Sequence, residues 1–166
     1  MDTGKILHVV GYKNSGKTTL MKNWISYLKE SGYKVAAIKH HGHGAKLAMP
    51  DEAKDSMQYI AHGADMSLVS GGGYTQQIMQ KESSYKELIA LARRDEPDII
   101  LVEGFKEEQG KKVVLATEEE WETLQQLDGI VLVVGDVETD HYETIASRTF
   151  EDRLNSWLRS WLREAF

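Results

Sequence analysis

Residues 11–18 read Gly-Tyr-Lys-Asn-Ser-Gly-Lys-Thr and match G-x-x-x-x-G-K-[ST] in full. This octet constrains the fold more than any other feature, because it works only as a turn between a buried strand and a helix. Both flanks are present. Ile6–Val10 is a short apolar run that suits a buried strand. Lys17–Glu30 carries Leu20, Trp24 and Leu28 at four-residue spacing, with Met21 and Ile25 beside them. That spacing predicts an amphipathic helix, stopped at Gly32. Glycines in such a turn let the backbone aim its N–H groups at phosphate oxygens, and the helix start adds a positive dipole end. The pattern predicts a nucleoside triphosphate site made of Gly11, Tyr12, Lys13, Asn14, Ser15, Gly16, Lys17 and Thr18. Lys17 is expected to reach the β- and γ-phosphates and the Thr18 hydroxyl to ligate Mg²⁺, with Thr19 on the α-phosphate. A chance match on a glycine turn is the alternative, and the strand–loop–helix setting argues against it.

The rest of the chain alternates in the same way. Strands are expected at Val35–Lys39, Met66–Ser70, Ile99–Val102, Val113–Ala116 and Ile130–Val134, with Tyr74–Gln80 as an antiparallel edge strand after glycines 71–73. Helices are expected at Glu52–His62, Ser84–Arg94, Thr117–Leu127 and Phe150–Leu162. In the last of these Phe150, Leu154, Trp157 and Trp161 form a stripe, read as core packing rather than as a partner surface. Apolar strands between helices imply an α/β fold, a mostly parallel sheet with helices on both faces. With 166 residues and no low-complexity linker, one domain over 1–166 is expected. Gly11, His40 and Glu103 each follow a predicted strand, so they should share the carboxyl edge of the sheet, where such folds bind ligands.

Charge and composition exclude several functions. A net charge of -6 gives no counterion-release gain on DNA or RNA, so nucleic acid is not an expected partner. The chain has no cysteine, which rules out disulfides, thiolate metal sites and a thiol nucleophile, and fits a reducing cytoplasm. Met1–Lys5 lacks the features of a signal peptide and no apolar run is long enough to span a bilayer, so no membrane role is expected.

Three further groups carry chemistry. Glu103 ends an apolar run and precedes Gly104, the position at which phosphate-loop proteins keep the acidic partner of Mg²⁺. With Lys17 it forms the expected catalytic pair; the competing reading is a glutamate that merely ends a strand. Asp55 is a second metal candidate, weighed against a solvated helix-face aspartate. Lys39, His40, His41 and His43 cluster after the second strand. They read as contacts for an anion or partner, as transition-metal ligands, or as a plain surface loop.

Taken together, Val10–Leu20, Ile38-Lys39-His40-His41-Gly42-His43-Gly44, Lys54-Asp55-Ser56 with His62-Gly63-Ala64, and Leu101-Val102-Glu103-Gly104-Phe105-Lys106 resemble the molybdopterin-guanine dinucleotide biosynthesis protein B family, MobB, over roughly residues 5–135. The resemblance implies a phosphate-loop GTP-binding protein with Mg²⁺, a homodimer with weak GTP hydrolysis. It also implies a role in attaching GMP to molybdopterin during molybdenum cofactor biosynthesis, alongside the guanylyltransferase MobA and the molybdenum-inserting protein MoeA. The chain lacks an Asn-Lys-x-Asp guanine motif; Asp136, in Val134-Gly135-Asp136, stands where such a loop would fall and is the candidate for reading guanine. Some relatives place a lysine directly after the first loop glycine, where this chain has Tyr12 with Lys13 one place on.

Two other functions stay open on the residues alone. An ATP-dependent small-molecule kinase needs an arginine-bearing lid. The first arginine here is Arg93, and Arg148, Arg153, Arg159 and Arg163 fall in the C-terminal helix region, so no arginine is expected at the phosphates. A non-catalytic adaptor switched by nucleotide differs from a GTPase only in whether hydrolysis matters.

Overall fold

The computed structural model describes residues 4–42 and 45–164. They divide into two compact units, one comprising the chain up to His40 and from Tyr85 onward, the other His41–Ser84.

The first unit holds a six-stranded sheet: β1 (Lys5–Val10), β2 (Val35–Lys39), β5 (Ile99–Glu103), β6 (Lys111–Leu115), β7 (Ile130–Val134) and β8 (Thr144–Ile145). Their order is β2-β5-β1-β6-β7-β8, and every pairing is parallel. Four helices cover it: α1 (Lys17–Glu30), α3 (Tyr85–Arg93), α4 (Glu118–Leu124) and α5 (Glu151–Arg163). Alternation along the strands sorts the core into two faces. Leu7, Val9, Leu101, Leu115 and Leu132 meet Trp24 and Leu28 of α1 and Leu154, Trp157 and Leu158 of α5. On the other face Val114 and Val133 pack with Trp121 and Leu124 of α4, while Ile100 and Val102 pack with Ile89 of α3. The expected α/β architecture with helices on both faces is therefore present.

The second unit contains α2 (Asp55–Ala61), β3 (Met66–Gly71) and β4 (Tyr74–Met79). Tyr74–Met79 is an edge strand only of this hairpin: it pairs antiparallel with β3, and the two form their own sheet. Gly72 and Gly73 have φ of 57° and 85°, the left-handed pair that a tight primed hairpin turn demands.

Several boundaries differ for local reasons. The helix expected from Glu52 starts at Asp55, because the Asp51 carboxylate accepts from Ala53 N at 2.9 Å and its carbonyl from Lys54 N at 3.0 Å, closing a turn first. Phe150 does not join the buried stripe; it stands at the N-cap of α5, 46% exposed. Strand β8 carried no sequence signal because two residues show no period.

Three polar side chains among the described residues of the six-stranded sheet are buried: His8, Glu103 and Lys112. Lys112 is 1% exposed, and its Nζ donates to the carbonyls of Glu108 (2.7 Å), Asp128 (2.8 Å) and Gly110 (3.4 Å). Burial lowers its pKa, opposed by Asp128. All three ammonium hydrogens are thus used to join the start of β6 to its neighbouring turns. We predict that Lys112→Met, which keeps the stem but strips the donors, destabilises the fold by about 2–4 kcal/mol. Chemical denaturation measures this; an unchanged midpoint would contradict the role given to the ammonium.

Candidate functional site

Strand register brings three chain segments to one edge. Lys39, the last residue of β2, pairs with Glu103, the last of β5, and Glu103 pairs with Val9 of β1, two residues before Gly11. The loop 11–16 then leads directly into α1. It uses left-handed backbone at Asn14 (φ 63°) and Gly16 (φ 98°); asparagine tolerates this region and glycine is at home there.

The start of α1 is open. Gly16 offers no capping side chain, and the first turn contains no carboxylate. By contrast α4 is closed by a capping box, in which Glu120 N donates to Thr117 Oγ1 and Thr117 N donates to the Glu120 carboxylate. Free N–H groups and an unopposed dipole end leave α1 suited to an anion. Ser15 Oγ adds to this: it is buried and has no hydrogen-bond partner among the described residues.

Around this start lies a cavity of about 410 Å³ lined by Lys13, Asn14, Gly16, Lys17, Thr18, Thr19, Lys39, Glu103 and Arg148. Lys17 Nζ donates to the carbonyls of Gly11 (2.9 Å) and Tyr12 (2.6 Å). Burial lowers its pKa, while Glu103 raises it. Thr18 Oγ1 donates to both Glu103 oxygens, at 3.0 and 3.1 Å, and Lys39 Nζ lies 3.4 Å from Glu103 Oε1. A buried carboxylate on the Thr18 hydroxyl puts two oxygen ligands side by side, the kind of donor set Mg²⁺ takes when phosphates and water complete its shell. Among the described residues no cluster of three or more His, Asp or Glu is placed to hold a metal ion.

The remaining candidates are placed as follows. Tyr12 is exposed, with the Lys106 ammonium 5.8 Å from its ring centre. Asp136 is exposed just beyond β7 and does not line the cavity. His40 is half-buried, stacked on Phe105 at 4.3 Å between ring centres, which makes it part of the packing beside Glu103. His41 and Asp55 are exposed within the second unit, Asp55 as the first residue of α2. His43 lies outside the described residues.

One expectation fails. Sequence position puts Arg148 in the C-terminal helix region, yet it precedes α5 and lines the cavity at the start of α1. The short strand β8 that carries it to this edge has no sequence pattern.

Sequence reasoning also passed over His8, a single polar residue in an apolar run. It is fully buried; Nδ1 lies 3.3 Å from the Gly104 carbonyl and Nε2 2.9 Å from Tyr85 Oη. A carbonyl only accepts, so Nδ1 carries the proton and Nε2 accepts from the Tyr85 hydroxyl. Tyr85 in turn touches Phe105, so the residues following Glu103 rest on this pair. Burial pushes the His8 pKa below 6.5, opposed by the Gly104 carbonyl and helped by Lys112. The folded chain therefore refuses a proton that the unfolded chain accepts. Stability contributed by neutral His8 is complete above about pH 6.5 and declines as pH falls below it, until the lowered folded pKa is passed. The expected slope from this group is at most about 1.4 kcal/mol per pH unit. Denaturation at pH 7.5, 6.0 and 5.0 should show His8→Gln with a shallower dependence than the parent; parallel curves would exclude His8 as the source.

A loop after the first strand, parallel strands ending in lysine and glutamate, and an uncapped helix start define a protein of the phosphate-loop NTPase fold. Known proteins narrow this. A sequence family described as molybdopterin guanine dinucleotide synthesis protein B matches residues 6–136. A probable molybdopterin-guanine dinucleotide biosynthesis adapter protein of Bacillus subtilis is 38% identical over 129 residues, 77% of this chain and 75% of that one. The adapter protein of that name from Haemophilus influenzae is 30% identical over 165 residues, 95% and 89% of the two chains. The crystal structure of Bacillus subtilis MobB superposes with a TM-score of 0.79 at 31% identity, covering 97% of this chain and 99% of that one. A MobB homologue from Bacillus stearothermophilus gives 0.77 at 31% identity, covering 95% and 97%. The chain belongs to the molybdopterin guanine dinucleotide synthesis protein B family.

Proposed function

We propose that this chain binds Mg-GTP at the loop 11–18 and serves as an adapter in molybdenum cofactor biosynthesis, in the step that produces molybdopterin guanine dinucleotide. The observation that carries the reading is the Thr18 hydroxyl resting on the Glu103 carboxylate beneath an uncapped helix start. In this reading the loop N–H groups and Lys17 hold the phosphates, with Lys17 leaving the Gly11 and Tyr12 carbonyls to reach them. Thr18 and Glu103 hold Mg²⁺, which supplies charge neutralisation at the phosphate oxygens. Thr19 contacts the α-phosphate and Asp136 reads guanine. Hydrolysis is weak: among the residues lining the cavity Glu103 is the sole carboxylate, committed to Thr18 and Lys39, and none is a glutamine to orient water.

The adapter names of the relatives support the pathway assignment. The partners proposed are molybdopterin or its molybdenum form, the guanylyltransferase MobA and a MoeA-type protein, with the chain acting as a homodimer in the cytoplasm. Among the described residues no helix is long and apolar enough to cross a membrane, in keeping with that location.

Calorimetric titration with Mg-GTP and Mg-ATP tests the reading. GTP should bind more tightly than ATP, and Lys17→Ala should weaken GTP by about 10- to 100-fold, the worth of a hydrogen bond to a charged group. Glu103→Gln should remove most of the gain that Mg²⁺ gives to GTP affinity. Preference for ATP would overturn the GTP assignment and favour an ATP-dependent kinase. Full accessory activity of a Lys17→Ala protein would leave an adapter that needs no nucleotide.

A further inference from the structure

The cavity holds four cationic side chains, Lys13, Lys17, Lys39 and Arg148, against the one carboxylate of Glu103, in a chain whose net charge is -6. Three of the four belong to the loop or to strand β2. Arg148 comes from elsewhere, the turn between β8 and α5. Because β8 runs parallel to β7, the chain leaving it emerges at the same edge as the loop.

Arg148 lies directly on the loop. A Cβ built on Gly16 would overlap its side chain, with Cδ at 2.6 Å and Cζ at 2.8 Å from that point. The backbone of the turn is fixed on both sides of it. Ser147 Oγ pairs with Thr149 Oγ1 at 2.8 Å and accepts from Thr149 N at 3.2 Å, and the Ser147 carbonyl accepts from Phe150 N at 3.2 Å. The guanidinium itself is not restrained in this way: among the described residues it forms neither a hydrogen bond nor an ion pair. A charged fork of five donors, exposed and set against the open start of α1, matches the oxygens of a phosphate chain.

We propose that Arg148 is a phosphate ligand of the bound nucleotide, supplied by the β8–α5 turn as a further specificity-determining residue of this site. The inference rests on the nucleotide reading of the loop given above. In it, Arg148 turns off Gly16 when the nucleotide enters and pairs with its phosphate oxygens. Affinity for a nucleoside di- or triphosphate then depends on a residue more than a hundred positions from the loop.

The test uses the whole chain, with Mg-GTP and Mg-GDP as probes in calorimetric titration and thermal melting as a check on folding. Arg148 is exposed, so Arg148→Ala should melt as the parent does. It should weaken both nucleotides by about 10-fold or more. Arg148→Lys should recover part of that loss, because it restores the charge without the fork. Unchanged or tighter binding by Arg148→Ala would overturn the proposal, the tighter case marking the arginine as an obstacle only. Weaker binding that follows a lowered melting temperature and is not relieved by lysine would also overturn it, reducing Arg148 to a packing role. A parent chain that binds neither nucleotide sinks the nucleotide reading and this inference together, whereas a parent that binds both and a variant that binds equally well sinks this one alone.

Discussion

Three strand ends must finish level for this site to exist. The parallel register that sets Val9, Glu103 and Lys39 in one row decides which residues can meet. A shift of one residue in β5 would turn Glu103 to the opposite face and replace its contacts with Thr18 and Lys39 by an apolar side chain. That register is held by side chains far from the carboxyl edge. Leu101 and Leu7 are locked into the α1–α5 face, and Ile100 and Val102 into the α3 face, so sliding either strand would expose one set. The chemistry of the edge is therefore specified by packing in the centre.

The opposite face contributes differently. Where a sheet of this kind would ordinarily be apolar throughout, β1 carries His8 and β6 carries Lys112, each buried and each spending its donors on carbonyls of connecting loops. Buried charge and imidazole are costly unless paired. Here the pairing fixes two turns that hydrophobic contact could not: the Gly104–Phe105 segment, where the chain leaves Glu103, and the 108–110 turn leading into β6. His40, stacked on Phe105, belongs to the same support.

The sequence made legible what periodicity and motif encode. The strand–loop–helix unit, the buried strand ending at Glu103 and the helix α4 appear where they were expected. It did not disclose what depends on spatial return. Arg148 reaches the loop through a strand of two residues, too short for alternation to show. His8 and Lys112 are recognisable only once their carbonyl partners are in place, since a single polar residue in an apolar run is ambiguous by itself. Spacing alone puts Phe150 in the helical stripe, and the cap position it occupies turns it outward. Asp136 follows β7 and does not line the cavity at the start of α1.

Lys5, at the start of β1, donates to the carbonyls of Trp161, Leu162 and Glu164 at the end of α5. This closes the helix with a cation where its unpaired carbonyls gather. It also joins residues separated by 157 positions. During synthesis β1 and α1 leave the ribosome long before α5 exists, so the apolar row of Leu7, Trp24 and Leu28 must wait without its cover. Contacts this distant close slowly, because the chain entropy of the intervening loop is lost before they form. The face of the sheet that α1 covers is thus completed only once α5 has been made, more than a hundred residues after the loop that depends on it.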